Sequence, residues 1–302
     1  PVIERAGGGG PAPRRKKSST KKDYFRVDID PESVMIISMK TEKTIPNLLS
    51  TPSKMPCFSF NIPAWKYCPG AKVFMNMAKK AKEALDNVIC SSCYALKGFY
   101  QMPNVADALK NKANFITDSI KKDNGDSFVA EMVGQITRKY YKPNGEKKNL
   151  KNCDTDLFRV HDAGDLFSAK YINCWIRICE ALPDVRFWFP TREHVRVDQM
   201  AHLQQLALQP NACLKPSALR LDEPAPQIKG LDAGTAVYTS EEKALEDGHY
   251  ICPATIHAFR MGRKEWRKVD KKERATLSSC AGNGCKLCFI KGCKKGIAYM
   301  AH

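Results

Sequence analysis

The residues of this chain best suited to chemistry are cysteines. Cys90 and Cys93 form a C-x-x-C pair, with Cys57 and Cys68 upstream in the same half of the chain. A denser group comes late, where Cys280, Cys285, Cys288 and Cys293 follow one another closely and Cys252 precedes Pro253. Soft thiolates at such spacing suit metal: four can surround one tetrahedral zinc ion or hold one cubane iron–sulfur cluster. Gly282, Gly284 and Gly292 let the backbone fold tightly around a centre, and Lys286, Lys291, Lys294 and Lys295 would offset thiolate charge. All nine cysteines are therefore candidate metal ligands, for iron–sulfur or for zinc. Cys174 and Cys179 are different, because they fall inside an amphipathic helical pattern and read as core.

A second constellation runs from Phe158 to Ser168, through His161, Asp162, Gly164 and Asp165. Alternating and β-branched residues predict a strand up to His161, with Gly164 allowing a tight turn. In parallel α/β folds the carboxyl ends of the strands carry the chemistry, and there His161, Asp162 and Asp165 would gather with Thr191 and Arg192. One carboxylate could take a proton or attack as a nucleophile while His161 relays charge, which makes His161, Asp162, Asp165 and Arg192 the candidate catalytic residues. The plainer alternative is a helix-capping aspartate with a histidine paired to it. A strand continuing through His161 and Asp162 would point them to opposite faces.

Elements able to position these residues are legible along the chain. Val34–Ser38 reads as a strand, residues 73–87 as a helix, and two further helices are expected over 105–117 and 127–141, the latter with Phe128, Met132 and Ile136 inward. After the His161 stretch, Ile172, Trp175, Ile176 and Cys179 fall at helical spacing from Ala169 to Leu182, and Pro183 ends that run. A strand over Val185–Phe189, a helix over 195–208, and strand-like runs at Cys213–Leu221 and Thr235–Thr239 follow. Strand alternating with helix predicts an α/β fold with a parallel sheet or a TIM-like barrel, complete or incomplete since no eight-fold repeat is visible, carrying cysteine-rich metal-binding extensions. Three parts are expected: a basic disordered arm over 1–22, an α/β core over 23–250 with the first cysteine group, and a cysteine-rich metal-binding segment over 251–302 packed on that core.

The charge points to a polyanionic partner. Lys and Arg number 49 against 32 Asp and Glu, a net charge of +17 over 302 residues, and such a field draws polyanions. Part of it is the arm, with Arg14, Arg15, Lys16, Lys17, Lys21 and Lys22; another part is a run that includes Arg263, Lys264, Arg267 and Lys268 just before the last cysteines. Neither run has a convincing apolar face, so nucleic acid, double-stranded DNA first, is favoured over a membrane surface. The aromatic residues Phe99, Tyr100, Tyr140 and Tyr141 are candidates to stack on bases, with ordinary core packing the commoner role. No apolar run approaches the roughly 18 residues of a membrane span, and the N-terminus lacks a signal-peptide core. With 13 cysteines, an odd number, metal ligation in a reducing cytoplasm is expected rather than a disulfide framework.

The strings CPGAK at Cys68–Lys72, CSSCYALKGFY at Cys90–Tyr100 and HDAGDLFS at His161–Ser168, with the terminal cysteine group, together resemble a phage family, the gene product 88 proteins. The resemblance covers roughly residues 50–295 and implies a viral or mobile-element origin and hence a host-cytoplasmic setting. The CxxCYA string is also similar to the cluster loop of radical S-adenosylmethionine enzymes, which hold their cluster with three cysteines on a barrel-like fold. Their third cysteine is expected four residues before Cys90, where Asp86 stands; Cys68 or Cys57 could fill that place through the fold. A third resemblance is to guanine base-exchange enzymes, which combine an α/β barrel, catalytic aspartates and a C-terminal cysteine-rich metal site. It implies attack by an aspartate on the glycosidic carbon of a flipped base.

The leading expectation is thus a phage-type, metal-dependent or metal-stabilised enzyme that modifies nucleic acid, acting on DNA bases, with guanine base exchange as its candidate reaction. A radical or redox iron–sulfur enzyme using S-adenosylmethionine on a small or nucleotide substrate is the first alternative, and a non-catalytic metal-stabilised DNA-binding protein the second.

Overall fold

A computed structural model of the chain describes residues 45–301 apart from 53 and 152. The expected strand at Val34–Ser38 and the basic residues from Arg14 to Lys22 lie outside the described residues.

An open eight-stranded sheet organises the described residues, in the order β1-β2-β3-β4-β5-β6-β8-β7. Its strands are β1 (Leu49–Ser50), β2 (Phe58–Phe60), β3 (Leu157–Val160), β4 (Arg186–Thr191), β5 (Ala212–Leu221), β6 (Thr235–Tyr238), β7 (Tyr250–Ile251) and β8 (Ile297–Met300). Only β1 runs antiparallel, against β2; every other pairing is parallel. The helices are α1 (Pro69–Lys80), α2 (Pro103–Asp123), α3 (Asp126–Tyr140), α4 (Ala169–Ala181), α5 (Val197–Ala207), α6 (Glu241–Glu246), α7 (Pro253–Trp266) and α8 (Lys271–Leu277). Strands β2 to β6 neighbour one another in chain order. Right-handed crossovers in sequential order return each connecting helix to the same side of a sheet. This is barrel-type winding without closure, and it leaves the other face free of these helices.

That division is written into the strands, whose side chains alternate between faces. Phe60, Phe158, Val160, Phe187, Phe189 and Leu214 point into the main core, beneath α3, α4 and α5. The fully buried Trp175 of α4 is its hub, touching the rings of Phe60, Phe128, Phe158, Phe187 and Phe189 at centroid distances from 5.6 to 6.4 Å. At 150–250 Å² of buried surface for such a side chain, hydrophobic transfer alone stabilises by roughly 4–6 kcal/mol. The intervening residues, Ser59, Arg159, Trp188, Cys213 and Lys215, face the other way. The C-terminal residues cover them: Phe289 meets Trp188 edge-on at 5.7 Å, and the Cys213 thiol lies 3.3 Å from the Ile290 carbonyl.

The expected helices over 127–141, 169–182 and 195–208 and the strands after them are present within a few residues of the expected ends, and that expected over 105–117 is present but runs on to Asp123. Ser168 caps α4 by accepting from the Tyr171 amide, and Phe128, Met132 and Ile136 are all buried along α3. The first helix differs from expectation. α1 begins at Pro69, whose fixed φ suits the first turn, and ends by Ala81, where Lys82 takes a left-handed φ of 55°; residues 85–101 form short 3-10 turns instead. Tyr140 is wholly buried, its hydroxyl donating to the Leu157 carbonyl, so it cannot stack on a base. The ring of Phe99 is 76% exposed.

Candidate functional site

The loops at the carboxyl ends of β2, β3 and β4 bring together most of the residues singled out on chemical grounds. Cys68 caps α1, which starts two loops away from Asp165. The Gly70 amide donates to the Glu193 carboxylate at 2.8 Å, and a Cβ on Gly70 would come within 2.6 Å of the Arg192 carbonyl. Only glycine lets α1 approach the end of β4 this closely. The Asp165 amide donates to the Tyr67 carbonyl at 2.9 Å, tying the residue before Cys68 to the loop after β3. Gly164 makes that loop possible: its φ is +84°, and a Cβ there would meet the Ile62 side chain at 2.2 Å.

Asp165 is the pin of the arrangement. Its carboxylate accepts from the Leu166 amide (2.7 Å), the Thr191 hydroxyl (2.6 Å) and the Arg192 amide (2.9 Å). Burial still pushes its pKa above the ordinary carboxylate range, against those three bonds. Cys68 lies close enough for Asp165 to raise its thiol further, after burial, and Cys90 and Cys93 add to the same effect. Cys90 is raised chiefly by burial, while the Arg192 guanidinium, which hydrogen-bonds its sulfur, pulls the other way. Arg192 also donates to the Ala218 carbonyl at 3.1 Å. Three thiols, one arginine and one carboxylate thus share a neighbourhood at the strand ends. Burial disfavours the thiolates of Cys68 and Cys90, so either would need a positive partner to ionise.

The other two candidates part company. His161 has a φ of +74° and turns into the aromatic core, with Nε2 3.2 Å from the Tyr171 hydroxyl and its ring edge-on to Phe60. Burial holds its pKa down to about 3, so it is neutral across the physiological range. Asp162 goes to the opposite face and pairs with Arg159. The geometry therefore does not join His161 to Asp162 or to Asp165 as a relay. Asp162 and Asp165 also diverge in role: one balances a buried guanidinium, the other organises backbone amides.

Two buried charged residues, Glu193 and Arg159, belong to the surroundings of this site although their sequence context did not single them out. Glu193 is fully buried and holds both Gly70 and Arg196; burial, then the nearby Asp165, pushes its pKa up to about 8. Arg159 sits mid-strand among apolar neighbours, a charge in an otherwise core-like run, which is the one cue that could have marked it. Its guanidinium lies 4.6 Å from the centroid of Trp188. Burial works against its charge, but Asp162, Tyr94, Tyr299 and Cys288 more than offset that and hold its pKa above the usual value.

The remaining cysteines lie elsewhere. Cys57, Cys252 and Cys288 belong to one buried group with Trp188, Phe289 and Ile297 on the helix-free face. Cys280 lies 3.7 Å from the Met55 sulfur, and Cys285 and Cys293 border a shallow surface pocket with Tyr250. Among the described residues, no three His, Cys, Asp or Glu side chains stand as a ready cage for a metal ion. Cys174 and Cys179 are buried in the main core. The basic side chains of Arg263, Lys264, Arg267 and Lys268 are all exposed on or beside α7. Among the described residues no helix is long and apolar enough to cross a membrane.

Comparison with known proteins adds a family. The family model described as Gene product 88 matches residues 35–291. The chain is similar to the "Gene 88 protein" of Mycobacterium phage L5, 45% identical over 104 residues, which cover 33% of this chain and 38% of that protein. It is also similar to the "Gene 88 protein" of Mycobacterium phage D29, 37% identical over 62 residues, covering 19% of this chain and 25% of that protein. The chain thus spans well under half the length of either relative in these matches. No solved structure matches.

Proposed function

This chain belongs to the gene product 88 family, and from that premise we propose that it is an iron–sulfur enzyme that modifies nucleic acid, with its reaction centre at Cys68, Cys90 and Cys93. The observation that carries this reading is the approach of Cys68, from the cap of α1, to the C-x-x-C pair beside Asp165 and Arg192. Three thiols are the ligand number of a cluster that keeps one iron open. Tetrahedral zinc draws all its ligands to about 2.3 Å from one point, whereas cluster thiolates each bind a different iron and so stand farther apart; no described group closes around one ion.

When bound, such a cluster supplies one-electron chemistry and an open site for a chelating cosubstrate such as S-adenosylmethionine. The chain's own residues would set its surroundings. Arg192 offsets thiolate charge at Cys90. Asp165 and Glu193 hold the α1 cap against the end of β4, fixing where Cys68 stands. The aspartates thereby act as positioning groups, since Asp165 spends its oxygens on three donors and Asp162 on Arg159. Support for a nucleic-acid substrate comes from the net charge of +17 and the exposed basic residues of α7, and DNA is favoured by the phage relatives.

The test is anaerobic purification followed by iron and acid-labile sulfide analysis, then incubation with DNA, RNA and free nucleotides, with and without S-adenosylmethionine, digestion to nucleosides and mass measurement. A new nucleoside that requires S-adenosylmethionine, lost in Cys93→Ser, is the expected result. A new DNA nucleoside formed without it and abolished by Asp165→Asn would replace this reading with base exchange. Folded protein that takes up neither iron nor sulfide would end it.

A further inference from the structure

An aromatic ring left in water forgoes a large hydrophobic gain, and two such rings stand on the two segments that carry the thiols of the candidate centre. Trp65 is 40% exposed and comes three residues before Cys68, whose amide donates to the Trp65 carbonyl at 3.3 Å. Tyr94 is 58% exposed and follows Cys93 directly. Leu96 and Phe99 are exposed on the same segment as Tyr94. Apolar side chains scattered singly over a surface need no explanation, but a group gathered beside a site does.

Both rings are held out rather than loose. The loop under Trp65 is fastened at either end, by the Ile62 amide donating to the Ala163 carbonyl at 3.1 Å and by the Asp165 amide donating to the Tyr67 carbonyl at 2.9 Å. Between these points Trp65 itself takes a left-handed φ of 63°, a region that bulky residues rarely occupy. Such an outlier persists only where its surroundings impose it, and outliers of this kind gather at ligand sites. Tyr94 is fixed differently: its hydroxyl donates to the Asp162 carbonyl, and its ring meets Tyr100 edge-on at 5.8 Å. The rings are therefore ordered before a ligand arrives, which lowers the entropy that binding must overcome.

The charge around them selects the ligand. Residues 62–82 and 88–102 contain six lysines and no aspartate or glutamate, and Lys66 and Lys97 are exposed close in sequence to the two rings. Aromatic faces set among ammonium groups suit a polyanion that also offers flat π surfaces. A strand of unpaired nucleotides has both, whereas duplex DNA presents its phosphates but keeps its base faces stacked. Cys68, Cys90 and Cys93 are only partly exposed, so a base inside an intact duplex could not reach them.

We propose that Trp65 and Tyr94 stack unpaired bases beside the Cys68, Cys90 and Cys93 centre, and that the nucleic acid taken there is single-stranded DNA rather than intact duplex. This narrows the substrate of that centre and rests on the nucleic-acid reading of it. It leaves the basic residues of α7 free to hold duplex that flanks an opened segment.

The full chain, titrated against labelled oligo(dT) and against a labelled duplex of equal length, tests this by fluorescence anisotropy at one salt concentration. Trp65→Ala and Tyr94→Leu should each weaken oligo(dT) binding roughly tenfold and leave duplex binding unchanged, while Trp65→Phe, which keeps a ring, should restore most of the loss. Both side chains are exposed, so the variants should unfold in urea as the unaltered chain does, and the aromatic replacement reads the effect even if one of the others fails to fold. Oligo(dT) affinity unmoved in both ring-deleting variants would overturn the platform and give the rings to a protein partner or to none. An equal loss for duplex, or no recovery in folded Trp65→Phe, would overturn it as well. The titration needs no metal: protein that shows the expected losses yet takes up no iron would uphold the platform and end only the cluster reading.

Discussion

The two faces of this sheet are built from alternate residues of the same strands, yet they differ in kind. Under α3, α4 and α5 the face is aromatic and dry: Phe158, Phe187 and Phe189 close around Trp175. One residue along, the other face presents Ser59, Arg159, Cys213 and Lys215, all buried or nearly so. Lys215 is 0% exposed, with its ammonium 3.2 Å from the Ala233 carbonyl. Burying charge and thiol together costs free energy that a core made only for stability would avoid. The comparison teaches that one face is built for packing alone, while the other buries charge and thiol at a cost in stability.

Trp175→Ala should produce the largest effect, since it empties the hub of the aromatic face. A loss of about 3–5 kcal/mol is expected in urea unfolding, with the iron content of the surviving folded protein unchanged. Loss of metal in folded Trp175→Ala would break the division between the faces.

Arg159→Met should cost about 2–3 kcal/mol by the same measure. It leaves Asp162 without its guanidinium, at a cost below the roughly 3–5 kcal/mol of a fully buried pair because both partners keep some solvent. Unlike Trp175→Ala, it should also alter the electron paramagnetic resonance signals of any reduced cluster. Unchanged signals with lost stability would reduce Arg159 to a structural ion pair.

His161 offers a smaller, pH-dependent test on the aromatic side. Its folded pKa, about 3, lies below its ordinary 6.5. Between those values the unfolded chain binds a proton that the folded chain refuses, so stability is full above pH 6.5 and falls as pH drops. The slope from this residue reaches about 1.4 kcal/mol per pH unit. His161→Asn, whose side chain tolerates the left-handed backbone, should flatten that acid limb; an unchanged limb would mean that His161 is charged when folded.

The smallest effect on stability, near zero, is expected from replacing Arg263, Lys264, Arg267 and Lys268 together by alanine. Duplex DNA binding should nevertheless weaken, and the slope of log K against log salt should flatten by about 3. Lys268 already pairs with Glu265, so fewer than four charges are free for phosphate. An unaltered slope would move the nucleic-acid surface elsewhere.

Much of the scaffold was legible before any coordinates. Three-residue and four-residue spacing of Phe128, Met132 and Ile136, or of Ile172, Trp175 and Cys179, reports a helix face directly, because backbone geometry sets the period and burial selects the residue types. The strands at 157–160 and 186–191 announced themselves by β-branched and aromatic residues, and the place of Cys174 and Cys179 in the core followed from their spacing. The start of α1 was misjudged because the apolar pattern there is carried by Gly70 and Ala71, which are small rather than strongly hydrophobic.

What the chain order could not show is which distant residues meet. Asp162 and Asp165 stand in one short string, yet the end of β3 at Val160 and the left-handed turn at His161 send one to Arg159 and the other to the amides of Leu166 and Arg192. Cys68 and Cys252 are far in sequence from the cysteines they approach. Composition and spacing determined that this protein has a parallel α/β scaffold, buried thiols and a strongly basic surface, because each is a local property of residue type and period. Only the tertiary structure decided the groupings, because parallel strands in register bring together loops separated by whole helices, and that approach is set by crossovers and close contacts such as Gly70 against Arg192 rather than by any neighbour in the chain.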